Sequence, residues 1–154
     1  MLVGVPEAVE EKADLNGVVA ARLRRADQRY TPTRRGLVEV LETSGRPLSI
    51  PDILALRPGM PQSTVYRNLA VLEQAGTVRR VIAAGGFAHY ELSEDLTEHH
   101  HHLICTLCRK VTDVTMSPRL ERSLERAVAE VAMEADFRLE GHRLDLLGRC
   151  TGCA

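Results

Sequence analysis

The apolar positions of the first ninety residues fall into helical spacings separated by turn residues. Over Val18–Asp27, Val19, Leu23 and Ala26 recur on one helix face. Tyr30-Thr31-Pro32-Thr33 breaks and caps the chain, and Leu37, Val38 and Leu41 form the next stripe, over Arg34–Thr43. Gly45-Arg46-Pro47 is a turn. Ser49-Ile50-Pro51 then predicts an N-cap with proline in the first turn, opening a short helix through Leu56. Pro58-Gly59-Met60-Pro61 makes a second tight turn. A third helix, capped by Gln62 or Ser63, is expected to about Gln74 on Val65, Leu69 and Leu72, until Gly76 stops it.

Beyond Gly76 the period drops to two. Thr77–Ala83 is rich in β-formers, Ala84-Gly85-Gly86 signals a turn, and Phe87–Leu92 alternates, which predicts a hairpin. Helix, turn, second helix and hairpin make a winged helix-turn-helix. The remainder predicts strands over His99–Ile104, Val111–Met116 and Arg143–Gly148. Ser117-Pro118 caps a helix from about Arg119 to Glu134, with Leu120, Leu124, Ala127 or Val128, and Val131 as its inward stripe. The expected fold class is α+β: an N-terminal winged helix-turn-helix domain followed by a small α/β domain. Residues 1–17 read as a mobile acidic arm, 18–92 as the winged helix, 93–98 as a hinge and 99–154 as the rear domain.

Composition adds two constraints. Hydrophobic residues are 44 % of the 154, enough for a packed core, but aromatics are 3 % and Trp is absent, so that core is aliphatic. The net charge of −1 hides an asymmetry: Val18–Tyr90 carries eleven Lys/Arg against five acids, and Glu91–Ala154 eight against twelve. A basic front suits a polyanion, and an acidic rear suits cations. No apolar run approaches the roughly 20 residues of a membrane span, and residues 1–17 lack the basic and apolar regions of a secretory leader. The chain is therefore expected to be cytoplasmic, without a membrane partner.

The candidate chemistry lies in the rear half. All four cysteines fall in Cys105-Thr-Leu-Cys108 and Cys150-Thr-Gly-Cys153, the spacing of a tetrahedral zinc site. Four thiolates leave no open position, so such a site is structural. All six histidines lie at or after residue 89: His89, His99, His100, His101, His102 and His142. On a strand, side chains alternate between faces, so His99 and His101 share one side and His100 and His102 the other, enough for two metal sites. His89 and Glu91 share a face of the hairpin by the same rule. Asp113, and Glu125 on the rear helix, supply carboxylates.

These residues together resemble the ferric uptake regulator (Fur) family over about residues 18–153. The resemblance rests on Ser63-Thr64-Val65-Tyr66-Arg67-Asn68-Leu69, on His100-x-His102-Leu-Ile-Cys105-x-x-Cys108 and on Cys150-x-x-Cys153. It implies a homodimeric, metal-dependent repressor that closes onto palindromic double-stranded promoter DNA when a metal binds at the hinge. It places Ser63, Thr64, Tyr66 and Arg67 at the DNA and Arg34 near the minor groove. It gives a structural zinc on Cys105, Cys108, Cys150 and Cys153. It implies a sensory site of Glu91, His100 and His102, with Asp113 sometimes added, and a second site of His99, His101, Glu125 and His142. The regulatory ion it implies is a divalent metal, Fe2+, Zn2+ or Mn2+.

The chain departs from that family at one ligand. Relatives often supply a sensory histidine from just before a helix cap, where this chain has Pro47. The expectation is that His89 completes the shell. The Ser93–Glu98 insertion leaves room for Glu94 or Asp95 to replace Glu91. Zinc sensors often place cysteine near position 93, here Ser93, and peroxide sensors favour aspartate where this chain has Glu91. Both absences favour iron or another first-row divalent ion over zinc or peroxide sensing. A metal-dependent hydrolase is the rival from another class, but no HExxH-type motif is present.

Overall fold

The computed structural model describes residues 14–154. The expected arm therefore lies largely outside the described residues. Its last positions belong instead to α1 (Leu15–Arg25), which starts at an N-cap Asp14 whose carbonyl accepts from Val18 N. In α2 (Pro32–Ser44), the Thr31 side chain caps Arg34 N, Pro32 opens the first turn, and Gly45 closes the helix at φ 60°. β1 (Leu48–Ser49) leads into α3 (Ile50–Leu56), where Ser49 and Asp52 form a reciprocal capping box. α4 (Gln62–Gln74) is not capped by Gln62 or Ser63 as expected. Pro61 is the N-cap: its ring holds φ at −62° and its carbonyl accepts from Thr64 N and Val65 N, so no side-chain cap is needed.

β2 (Val78–Ile82) and β3 (Ala88–Leu92) form the wing, paired Val78↔Leu92 through Ile82↔Ala88. β1 adds to the other edge of β3 through Leu48↔Tyr90 and Ser49↔His89, giving the order β1-β3-β2. Two residues are too short a strand for any periodicity to reveal. Val19 and Leu23 of α1, Leu37, Val38 and Leu41 of α2, Ile53 of α3, and Val65, Leu69 and Leu72 of α4 close one core beneath Tyr90 and Leu92. Each fully buried leucine contributes about 1.5–3 kcal/mol relative to exposure.

The rear sheet is β5-β4-β6, from β4 (His101–Cys105), β5 (Val111–Val114) and β6 (Asp145–Gly148). β4 runs antiparallel to β5 and parallel to β6, with His102 opposite both Asp113 and Asp145. Between them lies α5 (Pro118–Glu134), capped by Ser117. Its inward row is Glu121, Leu124, Val128 and Ala132, half-buried or buried, whereas Leu120 and Val131 of the predicted stripe are 54 % and 65 % exposed. The helix is thus turned so that a carboxylate heads the inward row. A second small core of Val81, Ala83, Ile104 and Val111 packs the wing onto the rear sheet. No described helix is long and apolar enough to cross a membrane.

Candidate metal centres and DNA-reading face

Parallel pairing of β4 with β6 assembles the cysteine cluster. Cys105 ends β4 opposite Gly148, and Thr106 N donates to Gly148 O, which draws the Cys150–Cys153 turn beside the Cys105–Cys108 turn. The four sulfurs lie within 4.8 Å of one another, with Cys108 and Cys150 Sγ 3.7 Å apart, and no disulfide links them. Zn–S bonds of about 2.3 Å in a tetrahedron require sulfurs roughly 3.8 Å apart. Backbone N–H groups of Cys150, Cys108 and Leu107 aim at the Cys105 sulfur and bring its thiol down to about 6. Hydrogen bonding to the neighbouring sulfurs, Cys150 first, pushes Cys153 up to about 12. Four sulfurs this close cannot all ionise alone, and a divalent cation removes that conflict. After Cys108, Arg109 adopts φ 65° and lays its guanidinium 3.7 Å over the Phe87 ring at the wing tip.

A second cluster sits where the wing meets the rear sheet. Glu91 on β3, His100 before β4, His102 on β4 and Asp113 on β5 bring one donor atom each within 4.8 Å of the others. Nε2 of His100 and of His102 lie 3.1 and 3.2 Å from Glu91 Oε2. Their Nδ1 atoms are held from outside, His100 by Glu98 O at 2.8 Å and His102 by Asp145 Oδ1 at 2.9 Å, so both rings present Nε2 inward. Burial alone would raise the Glu91 carboxyl, but hydrogen bonds from His102 and His100 and the Arg79 charge outweigh it and hold it at about 2. Burial raises Asp113, and the Glu91 charge adds to this. Asp113 Oδ1 is buried without a hydrogen-bond partner, 3.9 Å from His102 Nε2. A half-buried carboxylate facing the His100 and His102 imidazoles at the non-bonding distance of 3.9 Å fits a cation between them.

The third cluster is His99, His101, Glu121 and His142. Their Nε2 atoms converge on the Glu121 carboxylate at 3.2, 3.0 and 2.9 Å. Glu121 Oε1 and His142 Nε2 are nonetheless without a well-formed hydrogen bond, again the signature of donors gathered for an ion. Glu125, the carboxylate expected here, does not join. It is one turn further along α5 and exposed, while Glu121 heads the inward row. Glu121→Ala should therefore lose one exchangeable ion per chain, with affinity down more than about tenfold, while Glu125→Ala keeps it. Elemental analysis after equilibrium dialysis distinguishes the two.

His89 also stays outside the sensory cluster. β1 pairs with β3 only at His89 and Tyr90, so His89 is enclosed by strands on both sides while Glu91 lies beyond the end of β1 and faces the histidines. His89 is 6 % exposed, with burial lowering its basicity and Asp52 and Arg46 nearby. Neither alternative carboxylate replaces Glu91: Glu94 bonds Arg79 and His99, and Asp95 pairs with Arg22. Three residues went unrecognised in the sequence: Glu121, Asp145 and Arg79. Only the position of Glu121 one turn before Glu125 hinted at the first. The other two depend on strand partners distant in sequence.

On α4, Ser63, Tyr66 and Arg67 are exposed, Tyr66 at 50 %, and Thr64 is half-buried, while Val65 and Leu69 face the core. The helix thus presents a polar outer face. Arg34 is not free: Nε donates to Asn68 Oδ1 at 3.1 Å, Nη1 to Arg29 O at 2.5 Å and Nη2 to Gln28 Oε1 at 3.1 Å. Its side chain braces α2 against α4.

Comparison with known proteins agrees with this architecture. The chain is 32 % identical over 136 residues to the ferric uptake regulation protein of Cupriavidus metallidurans, covering 85 % of this chain and 90 % of that one. It is 30 % identical over 137 residues to the peroxide-responsive repressor PerR of Staphylococcus aureus, covering 86 % and 87 %. The crystal structure of the Vibrio cholerae ferric uptake regulator superposes with a TM-score of 0.69 at 29 % identity, over 84 % of this chain and 98 % of that one. The profile of the ferric uptake regulator family matches residues 25–147, and the chain belongs to that family.

Proposed function

We propose that the chain is a metal-responsive transcriptional repressor that binds palindromic promoter DNA as a homodimer. The observation that carries this reading is the composition of the junction cluster. Glu91 comes from the wing strand of the DNA-reading half, and His100, His102 and Asp113 come from the rear sheet. Residues that share one ion across that junction fix the angle between the halves. The gain in DNA affinity is limited to the ion's preference for the closed pose, typically about 1–3 kcal/mol or 5–150-fold.

The other parts have roles consistent with this. Cys105, Cys108, Cys150 and Cys153 would hold a structural zinc that fastens the C-terminus to β4. Ser63, Thr64, Tyr66 and Arg67 would meet the major groove, where phosphate contacts supply most affinity and base edges the specificity. Arg34 would reach DNA only by giving up its contacts to Gln28 and Arg29. Leu103, Leu146 and Leu147 of the rear sheet, Val131 and Met133 in the last turn of α5 and Phe137 just beyond it are large exposed apolar side chains. An apolar surface of this kind suits a second copy of the chain. The junction donors are all nitrogen and oxygen, which suits iron(II), manganese(II) or zinc, and the absence of a cysteine at Ser93 favours iron. Regulation rather than metal-assisted hydrolysis is favoured by the exposed outer face of α4, which an enzyme would not need.

The test is binding to the DNA upstream of the chain's own gene, by fluorescence anisotropy. Protein retaining only its thiol-bound zinc is compared with protein titrated with iron(II), manganese(II), nickel(II) or zinc. Affinity should rise at least about fivefold with the physiological ion. Equal binding with and without exchangeable ions would remove the metal-responsive reading.

A further inference from the structure

The two histidine clusters are joined by a continuous run of charged contacts. Arg79 on β2 donates through Nε to Glu91 Oε1 at 2.5 Å and through Nη1 to Glu94 Oε2 at 3.0 Å. The other oxygen of Glu94 is hydrogen-bonded by His99 Nδ1. At its two ends this run meets donors of different clusters. Glu91 faces His100 and His102 through Oε2, and His99 faces Glu121 through Nε2. The Arg79 side chain is 16 % exposed and that of Glu91 7 %, so solvent screens little of the inner pair.

We propose that Arg79 and Glu94 couple the junction cluster to the second cluster, so that a divalent ion in either one weakens binding at the other. The inference rests on both clusters holding exchangeable ions. Each carboxylate in the run has two oxygens and divides its charge between a metal-site partner and Arg79. An ion in the junction cluster draws on Glu91. Arg79 is then left mainly to Glu94, neutralises it, and weakens the acceptor that supports His99. An ion on His99 Nε2 polarises the ring so that Nδ1–H holds Glu94 more strongly. Arg79 then rests mainly on Glu91 and competes for the carboxylate the junction ion needs. The two directions agree in sign, as thermodynamic reciprocity requires. Glu94 lies in the Ser93–Glu98 segment between wing and histidines, so that segment carries part of the regulation as well as the length.

Cobalt(II) is the probe, titrated into full-length, zinc-stapled protein against a chromophoric chelator, with its visible absorption reporting coordination. His142→Ala isolates the junction cluster, and the double variant His100→Ala/His102→Ala, which leaves that cluster only Glu91 and Asp113, isolates the second. Their constants, set beside the stepwise constants of the unaltered chain, give the coupling. In the unaltered chain the first ion should weaken the second by about tenfold. Arg79→Gln, which keeps a donor to Glu91 without the charge, and Glu94→Gln should each reduce this to less than about threefold. Far-UV circular dichroism and retained zinc verify that each variant is folded. Should the glutamine variants not fold, Arg79→Lys, too short a fork to span both carboxylates, replaces them. Two ions that bind with undiminished coupling in these variants would overturn the bridge and leave the two-site reading intact. Fewer than two exchangeable ions per chain would overturn both.

Discussion

Cys150→Ser should strip the chain of its thiol-bound zinc and unfold most of the rear domain, leaving the winged helix standing. Structural zinc contributes about 10–16 kcal/mol of binding free energy in small domains, and that energy is folding energy. It is comparable to the whole stability of a typical small domain, about 5–15 kcal/mol. The rear domain has little to replace it with. All four residues of β6 are exposed, α5 buries only Ala132 fully, and the small core there is shared with the wing through Val81 and Ala83. The winged helix has its own core of α1 to α4 beneath Tyr90 and Leu92, to which no cysteine belongs. Hydrogen exchange should show β4 to β6 and α5 losing protection while α2 and α4 keep theirs, and elemental analysis should show no zinc. A variant that lost its zinc yet protected the β4–β6 amides as before would refute the staple.

That division was partly legible in the chain itself. The helices of the winged half carry both a stripe and a punctuation mark: Thr31-Pro32 before α2, the Ser49/Asp52 box at α3, Gly76 after α4 at φ 67°. Local rules place such elements because local contacts decide them. The paired CxxC turns were legible for the same reason, their spacing being a ligand geometry in itself. The alternation of His99 and His101 against His100 and His102 also holds, with ring centroids 4.8 and 5.3 Å apart within each pair. Apart from the α4 cap, which Pro61 supplies in place of Gln62 or Ser63, what failed depended on distant partners. Glu121 and Glu125 are one turn apart, and only the packing of α5 selects the first. His89 and Glu91 share a strand parity, and only the two-residue β1 separates their surroundings. Asp145 reaches His102 because β6 runs parallel to β4, and no local pattern announces a parallel register.

Glu91→Ala should abolish ion-dependent DNA binding even at saturating metal, whereas His102→Ala should only demand more metal. The difference lies in where each ligand comes from. Glu91 is the junction donor contributed by the wing, and the remaining donors His100, His102 and Asp113 all belong to the rear half. Without Glu91 an ion can still lodge on the rear side, but nothing ties it to the DNA-reading half, and the expected 5–150-fold gain falls to about one. Without His102 the wing-to-rear tie survives through Glu91 with His100 and Asp113, at lower affinity. Glu91→Ala also leaves the Arg79 guanidinium with Glu94 alone, at a cost of about 3 kcal/mol for breaking a buried pair. The pH profile of the ion-free protein separates that cost from the signalling loss. Burial opposes ionisation of Glu91, but His102, Arg79 and His100 hold its carboxyl at about 2 against an ordinary 4.5. The pairing energy is therefore fully present above pH 4.5 and drains away as pH falls toward 2. The alanine variant should lack that acid-sensitive increment and be less stable at neutral pH by the same amount, as denaturant melts at several pH values would show. If it instead kept a full metal response on DNA, the wing would be positioned by some contact other than Glu91.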